Sequence, residues 1–167
     1  MAGKSSRTTP IIEIKAHILI IESRYYEAVA DALLEGALAE LKASGATYDK
    51  VTVPGALEIP QALAQAVAAG LIPADEIGSR YDGAIVLGCV IRGETAHYDI
   101  VCNNANHWLM DVAIGANVPL GNAILTVDTE AQALARAMGG RQGKGGDAVR
   151  ACLSIVQLSR AFEEVDT

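Results

Sequence analysis

The sequence predicts a three-layer α/β/α sandwich built on a four-stranded parallel sheet. Three observations lead there. Apolar runs of strand length occur four times, each followed by a turn and a helical pattern, and a final helix closes the chain. Hydrophobic residues make up 51% of the chain while aromatics make up only 4%, so the core must be built from Ala, Val, Leu and Ile. At 167 residues the chain can enclose one real core.

The elements follow in order. Residues 1–10 are small, polar and mildly basic and read as a flexible arm, leaving 11–167 as a single domain. Residues 11–14 alternate and read as a separate edge strand suited to pairing with another subunit. Residues 16–21 form the first buried strand, and His17 within it reads as a satisfied core or edge histidine. Glu22-Ser23-Arg24-Tyr25-Tyr26 is the first strand-to-helix turn. Tyr25 then projects at the carboxyl edge of the sheet, where a tyrosine either stacks on a flat heterocycle or caps the core.

The next helix carries Val29, Leu33, Ala37 and Leu41 at four-residue spacing, and Gly45 ends it. Residues 48–53 form the second strand, punctuated by Pro54-Gly55. Pro60 suits the first turn of a helix that buries Ile59, Leu63, Ala66 and Val67. Glu58 there either favours the helix dipole or accepts hydrogen bonds from a ligand's hydroxyls. A loop covers 70–81, and residues 83–87 form the third strand. The helix over 100–113 sets Val101, Ala105, Trp108 and Val112 on one stripe, with Trp108 in the core or at a subunit interface. Residues 123–127 form the fourth strand, and Asp128-Thr129-Glu130 starts a short helix with Gln132 and Arg136. Residues 138–146 are glycine-rich and read as mobile. The last helix aligns Val149, Leu153, Val156 and Arg160. The arrangement is flavodoxin-like, with every strand-end loop on one edge of the sheet.

Composition excludes several roles. Net charge is −7 and the basic residues form no stripe, so neither nucleic acid nor an anionic membrane surface is an expected partner. Cys89, Cys102 and Cys152 have no CxxC spacing and are odd in number, which fits a reducing, cytoplasmic compartment. The apolar run over 11–21 is broken by Glu13 and Lys15 and is too short to span a bilayer. No cleavage site follows it.

The stretch that organises the chain is Gly88-Cys89-Val90-Ile91-Arg92-Gly93-Glu94-Thr95-Ala96-His97-Tyr98-Asp99. A glycine-bearing loop from Gly88 to Thr95, followed by a helix N-terminus, offers free N–H groups and a positive dipole end to an anion, most simply a phosphate. His97 in the first helical turn either faces whatever that loop holds or is the exposed histidine of an ordinary connection.

Three motifs in register carry a family resemblance. They are Val53-Pro54-Gly55-Ala56-Leu57-Glu58-Ile59-Pro60, the stretch just quoted, and Leu125-Thr126 with Gln132-Ala133 and Arg136-Ala137. Together they resemble lumazine synthase, over nearly the whole chain. The resemblance implies condensation of 5-amino-6-ribitylaminouracil with 3,4-dihydroxy-2-butanone 4-phosphate to 6,7-dimethyl-8-ribityllumazine, without metal or organic cofactor. It implies that Tyr25 stacks on the pyrimidine, a position usually held by phenylalanine or tryptophan. Ala56 and Glu58 match the positions that hold the ribityl chain, with Leu57 between them in place of a frequent aromatic. Cys89, Val90 and Ile91 match the strand-end backbone that reads the pyrimidine edge. Glu94, through its N–H, and Thr95 match the phosphate loop. His97 matches the proton-transfer histidine; a helix N-terminus disfavours imidazolium there, while Asp99 opposes that effect. Arg136 matches the arginine that binds phosphate from the adjacent subunit, and Lys144 a lysine near the same site. Asn122 stands where an aromatic often covers the neighbouring subunit's pyrimidine, so weaker substrate binding is expected. Assembly is implied too, most simply a homopentamer with sites between adjacent subunits.

Rival classes can be weighed against the residues. A non-catalytic lumazine- or flavin-binding paralogue needs the pocket but not His97 with Arg136, and Asn122 keeps that reading open. A flavodoxin-type electron carrier wants a Ser/Thr-rich phosphate loop after the first strand, and Glu22-Ser23-Arg24-Tyr25 is not one. A shell-forming structural protein is the third, and it does not exclude catalysis.

Overall fold

The computed structural model describes residues 9–75 and 78–165. Most of the expected N-terminal arm, residues 1–8, lies outside them. Four strands, β1 (His17–Ser23), β2 (Thr47–Val53), β3 (Gly83–Ile91) and β4 (Leu120–Val127), alternate with α1 (Glu27–Ser44), α2 (Glu58–Ala68), α3 (His97–Gly115) and α4 (Glu130–Ala137). A 3-10 turn, Gly140–Gln142, and α5 (Lys144–Val165) complete the chain. The sheet runs β2-β1-β3-β4 and every pairing is parallel, so the expected fold class is correct. Among the described residues no helix is long and apolar enough to cross a membrane.

Strand alternation sorts the core into two layers. Ile18 and Ile20 of β1, Ile85 and Leu87 of β3, and Ala123 and Leu125 of β4 face α1, α4 and α5. Leu19 and Ile21, Ala84 and Val86, and Ile124 face α2 and α3. The stripe Val29, Leu33, Ala37 and Leu41 is buried as the sequence implies, and Gly45 caps α1 in the left-handed conformation at φ 78°. Strand order reverses between β1 and β3. In such sheets the crevice at the carboxyl ends beside that reversal is where ligands bind.

Two local expectations, over 88–91 and over 138–146, need correction, and two others, at 11–14 and Trp108, are narrowed. Residues 11–14 pair with no strand of this chain; Ile14 N–H donates to Ser44 O at the end of α1, at 3.0 Å. The stretch from Gly88 to Ile91 belongs to β3 rather than to a loop, because β4 goes on pairing with it as far as Ile91 opposite Val127. In α3 the buried face is Cys102, Ala105, Leu109 and Ala113, and Trp108 is 52% exposed. Finally, the segment over 138–146 is packed, not loose. Its glycines allow close approach: a Cβ on Gly36 of α1 would lie 2.6 Å from Gly140 O, and one on Gly143 would lie 2.6 Å from Ala137 O. Across it, the fully buried Glu40 accepts from Arg141 Nε at 2.5 Å and from Arg150 at 2.9 Å.

Candidate active site

The registers explain how the crevice opens. Pairing of β1 with β3 ends at Glu22 opposite Leu87, whereas β3 and β4 stay paired to Ile91. From Gly88 onward one backbone edge of β3 therefore has no strand beside it. The turn from β1 into α1 stands across the gap, the turn into α2 forms a second wall, and the first turn of α3 closes the end. The cleft has a volume of about 340 Å³, within the range of small-molecule sites.

Its lining comes from three segments distant in sequence: Tyr25 and Tyr26; Gly55, Ala56, Leu57 and Glu58; and Cys89, Val90 and Ile91 with Gly93, Thr95, His97, Tyr98 and Val101. Of the residues singled out in the sequence, Tyr25, Ala56, Leu57, Glu58, Cys89, Val90, Ile91, Thr95 and His97 thus meet in one place. Glu94, Asn122, Arg136 and Lys144 do not line it. Glu94 is exposed in the loop before α3. Asn122, exposed on β4, donates to Asn106 Oδ1 at 2.8 Å. Arg136, in the last turn of α4, donates to Gln132 O, and Lys144 pairs with Asp147 at 3.4 Å.

Tyr25 is 74% exposed, so it does not cap the core. Its ring and that of Tyr26 meet in a T-shaped arrangement at 5.0 Å, a geometry aromatic pairs favour. Glu58 begins α2, and its Oε2 lies 3.2 Å from where a Gly55 side chain would start. A larger residue at 55 would crowd that carboxylate. His97 is the first residue of α3 and is exposed, with its backbone N–H donating to Thr95 Oγ1 at 3.3 Å. That contact satisfies one of the donors a helix start leaves free.

Burial raises the Cys89 thiol to about 11 and pushes the phenols of Tyr26 and Tyr98 above their ordinary range. All three are therefore neutral at pH 7. The loop ahead of α3 is tied down by Arg92, which donates to Asp128 at 2.9 Å and lies over the Tyr98 ring at 4.2 Å. Among the described residues no cluster of three His, Cys, Asp or Glu side chains is arranged to hold a metal ion.

Sequence reasoning passed over Tyr26, Tyr98 and Val101 as lining residues. Tyr26 and Tyr98 each adjoin a residue that was singled out, Tyr25 and His97. Val101 lies one helical turn beyond His97, and that spacing was the available signal.

Comparison with known proteins finds relatives along most of the chain. The family model described as 6,7-dimethyl-8-ribityllumazine synthase matches residues 15–160. A protein of Rhodopseudomonas palustris named 6,7-dimethyl-8-ribityllumazine synthase 1 is 53% identical over 145 residues, covering 87% of this chain and 86% of its own. One of Rhizobium meliloti with the same name is 54% identical over 144 residues, covering 86% and 92%. The 6,7-dimethyl-8-ribityllumazine synthase of Agrobacterium fabrum is 52% identical over 146 residues, covering 87% and 96%.

Proposed function

The chain belongs to the 6,7-dimethyl-8-ribityllumazine synthase family, and from that premise we propose how its cleft performs the family's reaction. The protein is a transferase of riboflavin biosynthesis. It joins 5-amino-6-ribitylaminouracil to 3,4-dihydroxy-2-butanone 4-phosphate, giving 6,7-dimethyl-8-ribityllumazine, phosphate and water. The amine condenses with the ketone to a Schiff base, phosphate is eliminated, and the second ring closes with loss of water.

The observation that carries the assignment of roles is that three distant segments meet in one cleft at the strand-order reversal. Tyr25 stacks on the pyrimidine. The open backbone edge of Cys89, Val90 and Ile91 reads the pyrimidine edge. Ala56, Leu57 and Glu58 flank the ribityl chain, with the Glu58 carboxylate accepting from its hydroxyls. The N–H of Glu94, with Thr95, binds the phosphate at the start of α3, where the helix dipole favours an anion. His97, beside that phosphate site, moves protons during imine formation and elimination. Arg136 and Lys144 reach the phosphate, and Asn122 the pyrimidine, of the adjacent subunit's site.

The same proposal makes the protein a cytoplasmic homopentamer. Supporting the assembly, Ile155, Leu158, Phe162 and Val165 form an outward apolar stripe on α5, and Ile100, Trp108 and Ile114 are exposed on α3. The edge strand β2 also exposes Tyr48 and Val51. Supporting the compartment, all three cysteines are free thiols.

A turnover assay with both substrates, followed by lumazine fluorescence, tests the proposal with His97→Ala beside the wild type. Wild-type product formation that falls about a hundredfold in the variant is expected, the low end of what a positioned acid or base contributes, because water can enter this open cleft. The variant keeps the wild-type sedimentation coefficient, since the imidazole is exposed. Tight pyrimidine binding without product would replace catalysis by a binding role.

A further inference from the structure

Glu22 is 0% exposed, yet it is the penultimate residue of β1, directly after Ile18, Leu19, Ile20 and Ile21. Its carboxylate is fully engaged. Lys50 Nζ donates to Oε1 at 2.6 Å and Thr52 Oγ1 to the same oxygen at 3.2 Å, while Arg24 donates to Oε2 at 3.1 Å. Stability does not account for the group. An ion pair of this kind is expensive to desolvate, and a well-packed apolar replacement of such a cluster is often neutral or stabilising.

What the carboxylate does is join two backbones. One oxygen holds Lys50 and Thr52 of β2, and two residues beyond Thr52 the chain enters the turn that supplies Gly55, Ala56, Leu57 and Glu58 to the cleft. The other oxygen holds Arg24, next to Tyr25. Arg24 in turn binds Glu27 in the first turn of α1, at 3.0 Å, and Asp31 one turn later. The turn that carries Tyr25 and Tyr26 is therefore pinned both to the neighbouring strand and to its own helix. Tyr25 itself is mostly solvent-exposed, so the position of its ring follows from that backbone.

We propose that Glu22 is a positioning residue that fixes the spacing between the Tyr25–Tyr26 wall and the wall over 55–58, and so sets affinity for the flat pyrimidine substrate. The inference rests on the assignment of this cleft to the pyrimidine. Glu22 touches no substrate; it acts through Arg24 on one side and through Lys50 and Thr52 on the other. The phosphate site at the start of α3 lies outside this linkage, so the two substrates respond differently.

The test uses the full-length protein and the variants Glu22→Gln, Lys50→Met and Thr52→Val. Three quantities are measured: equilibrium binding of 5-amino-6-ribitylaminouracil, the KM of each substrate, and the thermal midpoint. Glu22→Gln should weaken pyrimidine binding and raise its KM about tenfold, the order of a lost stacking contact. The KM for the butanone phosphate should stay within about twofold, as expected of a group outside the phosphate site. Lys50→Met and Thr52→Val, at the rim of the network, should show the same split at smaller size, and they decide the matter if Glu22→Gln does not fold. Equal shifts in both KM values, or a lowered midpoint with both KM values unchanged, would overturn the proposal. If the wild type binds the pyrimidine but forms no product, the catalytic assignment falls while the binding constants still decide the role of Glu22.

Discussion

Glu40→Gln probes the contact that most changes how the glycine-rich segment is understood. Glu40 lies on α1 with 0% exposure and meets Arg141 and Arg150, which are more than a hundred residues away in the chain. Glutamine keeps the shape and removes the charge, leaving two guanidinium groups facing each other. Breaking a buried pair from one side costs about 3–5 kcal/mol. The side chains of Arg141 and Arg150 are 28% and 14% exposed, and Arg150 also pairs with Asp147. Water and Asp147 therefore offset part of the loss, which places the expected value near the lower end, about 3 kcal/mol. For a chain of this size that lowers the thermal midpoint by about 6–12 °C. The assay is a circular-dichroism melt at fixed protein concentration, because the proposed assembly would make the midpoint concentration-dependent. Glu35→Gln, on the exposed side of the same helix, is the control and should change stability by less than about 0.5 kcal/mol. If Glu40→Gln melts within about 2 °C of the control, the Glu40 contact with Arg141 and Arg150 does not hold this segment.

Three further outcomes are expected. Gly36→Ala gains about 1 kcal/mol of helix propensity but sets a methyl 2.6 Å from Gly140 O; overpacking of about 1–3 kcal/mol outweighs that gain, so urea denaturation should show a net loss and a shifted loop. Cys89, raised to about 11 by burial, should react with iodoacetamide about tenfold faster per pH unit between 7 and 10, and bound pyrimidine should slow it; Cys152, raised to about 12 and buried, should react only on unfolding. Hydrogen bonds from Tyr81 and then His17 hold the Asp49 carboxyl below its usual range. Its folded pKa is depressed, so its contribution is present above the unfolded value of about 3.9 and is lost as pH falls through the folded one. Asp49→Asn should flatten the fall of stability below about pH 4, read from urea midpoints across pH.

Periodicity alone located each helix and strand to within a few residues, because the buried stripes of α1 and β1 repeat at the spacing their geometry demands. The errors share a cause. Gly88 reads as a strand end, yet it lies inside β3 because a side chain there would start 3.2 Å from Ile59 Cδ1 of α2. Its glycine serves helix-on-sheet packing, not a turn. The same holds over 138–146, where glycine content suggests freedom but close approach to α1 removes it. Glu22 reads as a turn residue because a carboxylate inside a core is improbable until Lys50, Thr52 and Arg24 are seen around it. Apart from Arg24, two residues on, these partners are non-local, and no short window along the chain contains both sides of the contact.

The site was legible for a different reason. A reacting cleft at a strand-order reversal draws on loops that follow successive strands, so its residues arrive as short motifs at regular intervals. The nine expected residues that line the cleft come from the turns after β1 and β2 and from the end of β3 through the start of α3. Of the four that do not, Glu94 stays in that loop, where the proposal gives a role only to its backbone N–H. The other three, Asn122, Arg136 and Lys144, come from β4 and beyond, and they are the three that the family resemblance assigns to the phosphate or pyrimidine of a neighbour. On the proposed roles, the cleft of a single chain thus combines the pyrimidine slot, the histidine and the helix start, while Arg136 and Lys144, the cations expected on the phosphate, lie outside it. With Glu58 in the cleft and Arg136 and Lys144 outside it, an isolated subunit would bind the dianionic substrate poorly. On the proposed assembly, dilution to isolated subunits should therefore raise the KM for the butanone phosphate before it affects pyrimidine binding.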